Sequence, residues 1–157
     1  MSVDRSRIES LVRELIIAIG EDPNRAGLEQ TPARVADAYA EFFSGVGEDP
    51  GAPLDRTVSI ADADGHDVVV SGAVMLRDVQ FRSVCEHHLL PFVGTAHIAY
   101  LPGAQVVGLG ALPRVVDVLA SRPQVQERLG EQIADVIASR IDARGVLVVL
   151  DAVHGCV

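Results

Sequence analysis

The sequence contains no lysine: all 13 of its basic residues are arginine, set against 22 Asp and Glu. The formal charge of −9 argues against nonspecific nucleic-acid binding, which requires a positive surface to displace counterions. Any phosphate site must therefore be built from arginine and backbone N–H groups. Long apolar runs are missing too, so no membrane span is expected. The start of the chain, Met1-Ser-Val-Asp-Arg5, lacks a basic segment followed by an apolar one, so no signal peptide is expected either. Cysteine is scarce, two in 157 residues. With nothing to suggest export, the expected location is cytoplasmic and reducing, and a Cys85–Cys156 disulfide ranks below free thiols. Disorder is disfavoured as well, because 48% of residues are apolar and only 22% charged, enough for a sizeable core.

The chain divides into a helical front piece, residues 1–56, and a mixed unit, residues 57–157. Ile8, Leu11, Val12, Leu15, Ile16 and Ile19 follow a helical period. Ser6-x-x-Glu9 reads as the capping box of that helix, and Gly20 and Pro23 end it. A second helix is expected from Thr31 as N-cap, with Pro32 at the first position, to about Ser44. Val35, Tyr39, Phe42 and Phe43 form its apolar face. Residues 45–56, rich in Gly, Pro, Asp and Glu, read as a linker. The second unit reads as strands, two helices and a last strand. A short strand at Val58–Ile60 is expected to turn through Asp64-Gly65 to Val68–Val70. Longer strands follow at 74–84 and 92–100, then helices at 112–121 and 125–141. The run from Gly145 to Val153 is continuously apolar, which predicts a strand buried on both faces.

The chemistry-bearing residues cluster. Both cysteines lie within three positions of a histidine: Cys85-Glu-His87-His88 in one place, His154-Gly-Cys156 in another. The C-x-x-H spacing lets Cys85 and His88 reach one ion from a single turn of chain, and Cys156 can supply a third ligand. Three protein ligands with an open fourth position is the arrangement of a catalytic zinc, which makes water acidic enough to attack. His87 and His154 each adjoin a ligand and can carry protons. The plainer reading is that the cysteines are small buried hydrophobes. His66, in an Asp/Gly turn, reads as solvated, and His97 as facing solvent or a subunit contact. Tyr39 and Tyr100 read as packing.

Three long stretches carry a resemblance. Cys85-Glu-His-His-Leu-Leu-Pro-Phe-Val-Gly-Thr-Ala-His-Ile-Ala-Tyr-Leu-Pro102, Arg122-Pro-Gln-Val-Gln-Glu-Arg-Leu129 and Asp151-Ala-Val-His-Gly-Cys156 resemble the GTP cyclohydrolase I family. Gly20-Glu-Asp-Pro-Asn-Arg25 and Thr31-Pro-Ala-Arg-Val35 resemble the family's helical front. The resemblance implies an α+β chain with the T-fold, an antiparallel sheet with two helices on one face, behind an N-terminal helical extension. It implies a ring-shaped homodecamer. It also implies opening of the guanine imidazole ring of GTP at C8, with formate release, to give 7,8-dihydroneopterin triphosphate. Zinc on Cys85, His88 and Cys156, acid–base roles for His87 and His154, and a guanine edge held by Gln126 and Glu127 follow in the same way. Arg34 and Arg114 match positions near the phosphates. They can equally form surface or inter-subunit ion pairs, as can Arg122.

The chain departs from the family pattern in two places. Gly-Leu-Ser-Lys, usual before the first helix of the second unit, is here Gly108-Leu-Gly110-Ala111. The sequence stops at Val157, before the Arg expected shortly after the last zinc cysteine and the strand carrying on from it, which fits either a truncated sequence or a short paralogue whose sheet edge a neighbour covers. Two lost charge-assisted contacts at roughly 1.5–3 kcal/mol each would weaken triphosphate binding on the order of 10²- to 10⁴-fold. Two further readings therefore stand beside the GTP enzyme. One is a related hydrolase of a guanine compound without the triphosphate. The other is a non-catalytic paralogue that assembles with full-length subunits.

Overall fold

The computed structural model describes residues 3–59 and 72–156. Helix α1 (Arg5–Ala18) is capped by Asp4, whose carboxylate accepts from the Arg7 N–H at 3.0 Å. Ser6 is therefore inside the first turn rather than the cap, and its hydroxyl donates to the Asp4 carboxylate. A charged carboxylate at the positive end of the helix outcompetes a hydroxyl two residues on. Helix α2 (Thr31–Phe42) starts one residue earlier than expected, with Gln30 as N-cap and Thr31 already helical. It packs on α1, and Arg5 pairs with Asp37 at 3.1 Å across the two.

The expected linker is fastened down. Leu54, in a single 3₁₀ turn (Ala52–Leu54), is fully buried in the same hydrophobic core as Phe81, Leu112 and Leu129. Arg122 donates to the carbonyls of Gly45 (2.9 Å) and Glu48 (2.7 Å). Arg140 pairs with Asp55 (2.7 Å) and Asp49 (3.2 Å).

The main sheet has the order β5-β2-β3-β6. Its strands are β2 (Val74–Cys85), β3 (Pro91–Leu101), β5 (Pro123–Gln124) and β6 (Gly145–His154), antiparallel except where β5 runs parallel to β2. A separate pair joins β1 (Thr57–Ser59) to β4 (Gln105–Val107). Thus β1 pairs forward with β4, a strand too short to carry its own periodic signal. Ile60, Asp64-Gly65, His66, Val68–Val70 and Val157 fall outside the described residues. A bulge between Leu76 and Val79 puts Asp78 at φ +59°, and its N–H donates to His97 Nδ1 at 3.3 Å. His97 is half-buried, its Nδ1 accepting that bond. Tyr100 is buried, its hydroxyl accepting from the Val107 N–H.

Helices α3 (Ala111–Ala120) and α4 (Gln126–Arg140) cover one face of the sheet, α3 against β2 and α4 against β6. Leu112, Val115, Val116 and Leu119 from α3 and Leu129, Ile133 and Ile137 from α4 meet Phe81, Phe92, Ala96, Ile98 and Tyr100 from the strands. The i, i+3, i+4 spacing of these aliphatic residues gives each helix one apolar stripe to bury. No described residue covers the opposite face. Leu147, Val149 and Val153 of β6 are exposed, so β6 alternates rather than being buried on both sides. The apolar run of the sequence is real, but the described residues cover only one of its faces. Among the described residues no helix is long and apolar enough to cross a membrane.

Candidate metal centre and active site

The ligand groups meet because β2 and β6 finish at the same end of the sheet, on either side of β3. Cys85 is the last residue of β2. Its N–H donates to Leu90 O and its carbonyl accepts from Leu89 N–H, both at 2.8 Å, closing a turn that Leu89 completes at φ +54°. That turn places His88 Nδ1 3.7 Å from Cys85 Sγ. Beyond β6, the Gly155 N–H donates to Pro91 O at 3.0 Å, and a side chain at 155 would put its Cβ 2.9 Å from the same oxygen. Glycine thus lets the chain run close to β3 and deliver Cys156. The ligand atoms of Cys85, His88 and Cys156 all lie within 4.8 Å of one another. Both cysteines are free, so no disulfide ties these two ends.

The two thiols differ. The neighbouring His88, then the His87 backbone N–H, bring the Cys85 thiol down to about 7. Burial, then the nearby Cys85 sulfur, pushes the Cys156 thiol up. Two sulfurs and an imidazole nitrogen form a donor set of the softness that suits zinc.

The start of α4 binds both ligand-bearing segments. Arg128 grips Glu86 with two bonds, 2.5 and 3.0 Å, and holds its carboxyl below the usual carboxylate range. Glu86 Oε1 lies 3.7 Å from His87 Nε2. The Glu86 N–H donates to Gln124 O, just before α4. On the other side Gln126 Nε2 donates to Leu150 O (3.1 Å), and Gln126 Oε1 is 2.9 Å from His154 Nε2. The His154 ring stacks on Phe92, its partner in the β3–β6 register, with centroids 4.6 Å apart and planes 2° from parallel. His154 Nδ1 is 3.8 Å from Cys156 Sγ.

The structure thus gathers Cys85, His88, Cys156, His154 and Gln126 into one constellation. His87 stands beside it, 63% exposed. Glu127 is exposed in the first turn of α4, with no ion pair or hydrogen bond from its side chain among the described residues. Arg114, on the first turn of α3, lines a cleft of about 390 Å³ with Pro53, Arg56, Gly108, Gly110 and Ala111. Arg34 is exposed on α2. No hydrogen bond or ion pair among the described residues joins Arg34 or Arg114 to the cysteine–histidine group. Arg122 spends its guanidinium on the carbonyls of Gly45 and Glu48. The Glu86–Arg128 pair and the Phe92 stack were not foreseen from the sequence. Partners 42 and 62 positions apart leave no local signal, although the opposite charges of Glu86 and Arg128 were visible.

Comparison with known proteins agrees with this geometry. A family profile described as GTP cyclohydrolase I matches residues 8–157. "GTP cyclohydrolase 1" of Leifsonia xyli subsp. xyli is 60% identical over 154 residues, which are 98% of this chain and 78% of that protein. The protein of the same name from Rhodopirellula baltica is 53% identical over 98% of this chain and 64% of its own length. That from Corynebacterium glutamicum (strain R) is 50% identical over 98% and 75%. With a match running through both ligand clusters and the helices between them, this chain belongs to the GTP cyclohydrolase I family.

Proposed function

We propose that the protein catalyses zinc-dependent hydrolytic opening of the guanine imidazole ring at C8, releasing formate and converting GTP to 7,8-dihydroneopterin triphosphate. The convergence of Cys85, His88 and Cys156 carries this reading. The names of the relatives support the substrate. Zinc fits the residues: the Cys85 and Cys156 sulfurs and a His88 ring nitrogen would hold it as three protein ligands, the number found in catalytic zinc sites. When bound there it supplies a Lewis acid that lowers the pKa of water.

The chain's own groups do the rest. His87 and His154 hold and move protons beside the base; a proton donated at N7 makes C8 more electrophilic. Glu127 accepts from the guanine N1–H and 2-amino group as a charge-assisted pair. Adenine offers no matching donors there and is rejected. Arg114 and Arg34 bind the triphosphate. Arg56, which lines the same cleft as Arg114, Gly110 and Ala111, adds a second guanidinium where the family's usual Ser and Lys are replaced.

In this reading residues 57–157 form a T-fold, supported by the two helices on one face of the β2-β3-β6 sheet, and residues 1–56 form an N-terminal helical extension docked through Arg122 and Arg140. The apolar face of β3 and β6, which no described residue covers, supports a homo-oligomer, a ring-shaped decamer by family resemblance. Free thiols suit a reducing compartment such as the cytoplasm.

A second reading keeps the ring-opening chemistry but drops the triphosphate, and Gly110 and Ala111 favour it. Formate release from GTP, guanosine and guanine by the zinc-loaded protein separates the two. Turnover of GTP alone supports the first. Turnover of guanosine or guanine supports the second. Zinc bound without turnover of any substrate overturns both.

A further inference from the structure

We propose that Gln126 is a positioning residue for His154: its amide fixes the ring so that Nε2 carries the proton of the neutral imidazole and Nδ1, facing Cys156, stays bare. The argument starts from Leu150 O, which can only accept. The Gln126 atom 3.1 Å from it must be the NH2 group. That orients the amide and places Oε1 2.9 Å from His154 Nε2. An amide oxygen also only accepts, so Nε2 is the nitrogen that bears hydrogen. The orientation follows from the partners rather than from an arbitrary choice of amide flip.

The surroundings hold this arrangement still. Gln126 opens α4, whose Leu129, Ile133 and Ile137 are fully buried, so the amide is offered from a rigid element. Leu150 belongs to β6, as His154 does, so one amide spans two points of the same edge strand. Phe92, buried and parallel to the ring, fixes its plane. The remaining nitrogen, Nδ1, lies 3.8 Å from Cys156 Sγ. In the ring-opening reaction proposed above, on which the catalytic part of this inference rests, His154 therefore meets protons from the side of the cysteine–histidine group. Both ends of the Gln126 amide are used within the chain. Recognition of the guanine edge falls to Glu127, whose carboxylate no described residue engages.

The test is in two parts. Solid-state ¹⁵N NMR of zinc-loaded protein labelled at histidine nitrogens reads the tautomer, with the His154 signals assigned by their loss in His154→Gln. Under mildly alkaline conditions the expected result is a protonated Nε2 and a bare Nδ1. A protonated Nδ1 with a bare Nε2 overturns the proposal, whether or not the protein turns over GTP. Gln126→Leu removes both bonds and is expected to mix the tautomers. It should lower kcat for GTP about 10- to 100-fold, the usual cost of losing such a supporting partner, with KM changed less than roughly threefold. A raised KM with kcat kept would instead make Gln126 a guanine contact and overturn the proposal. Gln126→Glu keeps an acceptor oxygen for Nε2 and should retain the wild-type tautomer. If the leucine variant does not fold, the wild-type spectrum and the glutamate variant decide. Absence of GTP turnover in the wild type counts against the ring-opening reading and leaves the tautomer result standing.

Discussion

Cys85 and Cys156 are the same residue type with opposite displacements, and the difference sets how the site loads. A metal holds thiolates, so each protonated thiol must release its proton on binding. Cys85 is poised at about 7 by His88 and the His87 N–H, whereas burial raises Cys156. Above that point Cys85 is already ionised and only Cys156 gives up a proton. Zinc affinity should then fall about tenfold for each pH unit lost, steepening toward about a hundredfold per unit just below 7, where both thiols are protonated. Chelator competition across that range measures the slope, and a slope that does not change would contradict the asymmetry. Cys85→Ser should leave the purified protein without the zinc, about one per chain, that the native protein is expected to hold. The low-pKa thiol is Cys85, so its loss removes the ligand that is ready first.

At the scale of elements, what holds the site is the way α4 and β3 bracket the two ligand-bearing ends. Gly94 of β3 faces β6 so closely that a Cβ there would sit 2.2 Å from Asp151 O and 2.9 Å from the Ala152 Cα. Gly94→Ala must push β6 away, and about 1–3 kcal/mol of stability should be lost on urea unfolding. Zinc content should fall too, because β6 delivers His154 and Cys156. An unchanged midpoint would mean that the strands are not packed this tightly. Arg128 acts differently. Its pair with Glu86 is partly exposed, so water screens it and it adds little to global stability. Arg128→Ala should barely move Tm yet raise amide hydrogen exchange over residues 86–90. Much of this scale was legible in advance. Aliphatic periodicity placed α3, α4, β2, β3 and β6 to within about two residues. The C-x-x-H spacing anticipated a Cys85–His88 contact that closes within one turn. The bulge at Asp78, the pairing of β1 with β4 and the Gln126–His154 bond were not legible. Each depends on which strands or helices become neighbours in space, and no local pattern encodes that. The misplaced cap of α1 had a nearer cause: Ser6-x-x-Glu9 fits the capping pattern, but Asp4 reaches the same turn with a full charge.

For the molecule as a whole, the unexplained quantity is apolar surface. In the register of β3 with β6, Val93 lies opposite Val153, and Leu147 and Val149 continue the same outward face. Their exposures are 53%, 75%, 60% and 50%. On α1, Leu11 and Leu15, one turn apart, are also more than half exposed. Isolated apolar residues on a surface need no explanation, but a contiguous set on a flat sheet face marks an interaction surface. The sheet is already covered on its other side by α3 and α4, so this chain has no element left among the described residues to bury it. A charge placed on that face should leave the single chain intact, since nothing of its own core lies there, while opposing assembly strongly, because a buried unpaired charge costs several kcal/mol. The native protein is therefore expected to run well above its 16.7 kDa chain mass in light scattering coupled to size exclusion. Val149→Asp should shift it toward the single-chain mass with its far-ultraviolet circular dichroism retained. Native protein eluting at the single-chain mass would show that the face stays open to water, and the ring expected from family resemblance would fall with it.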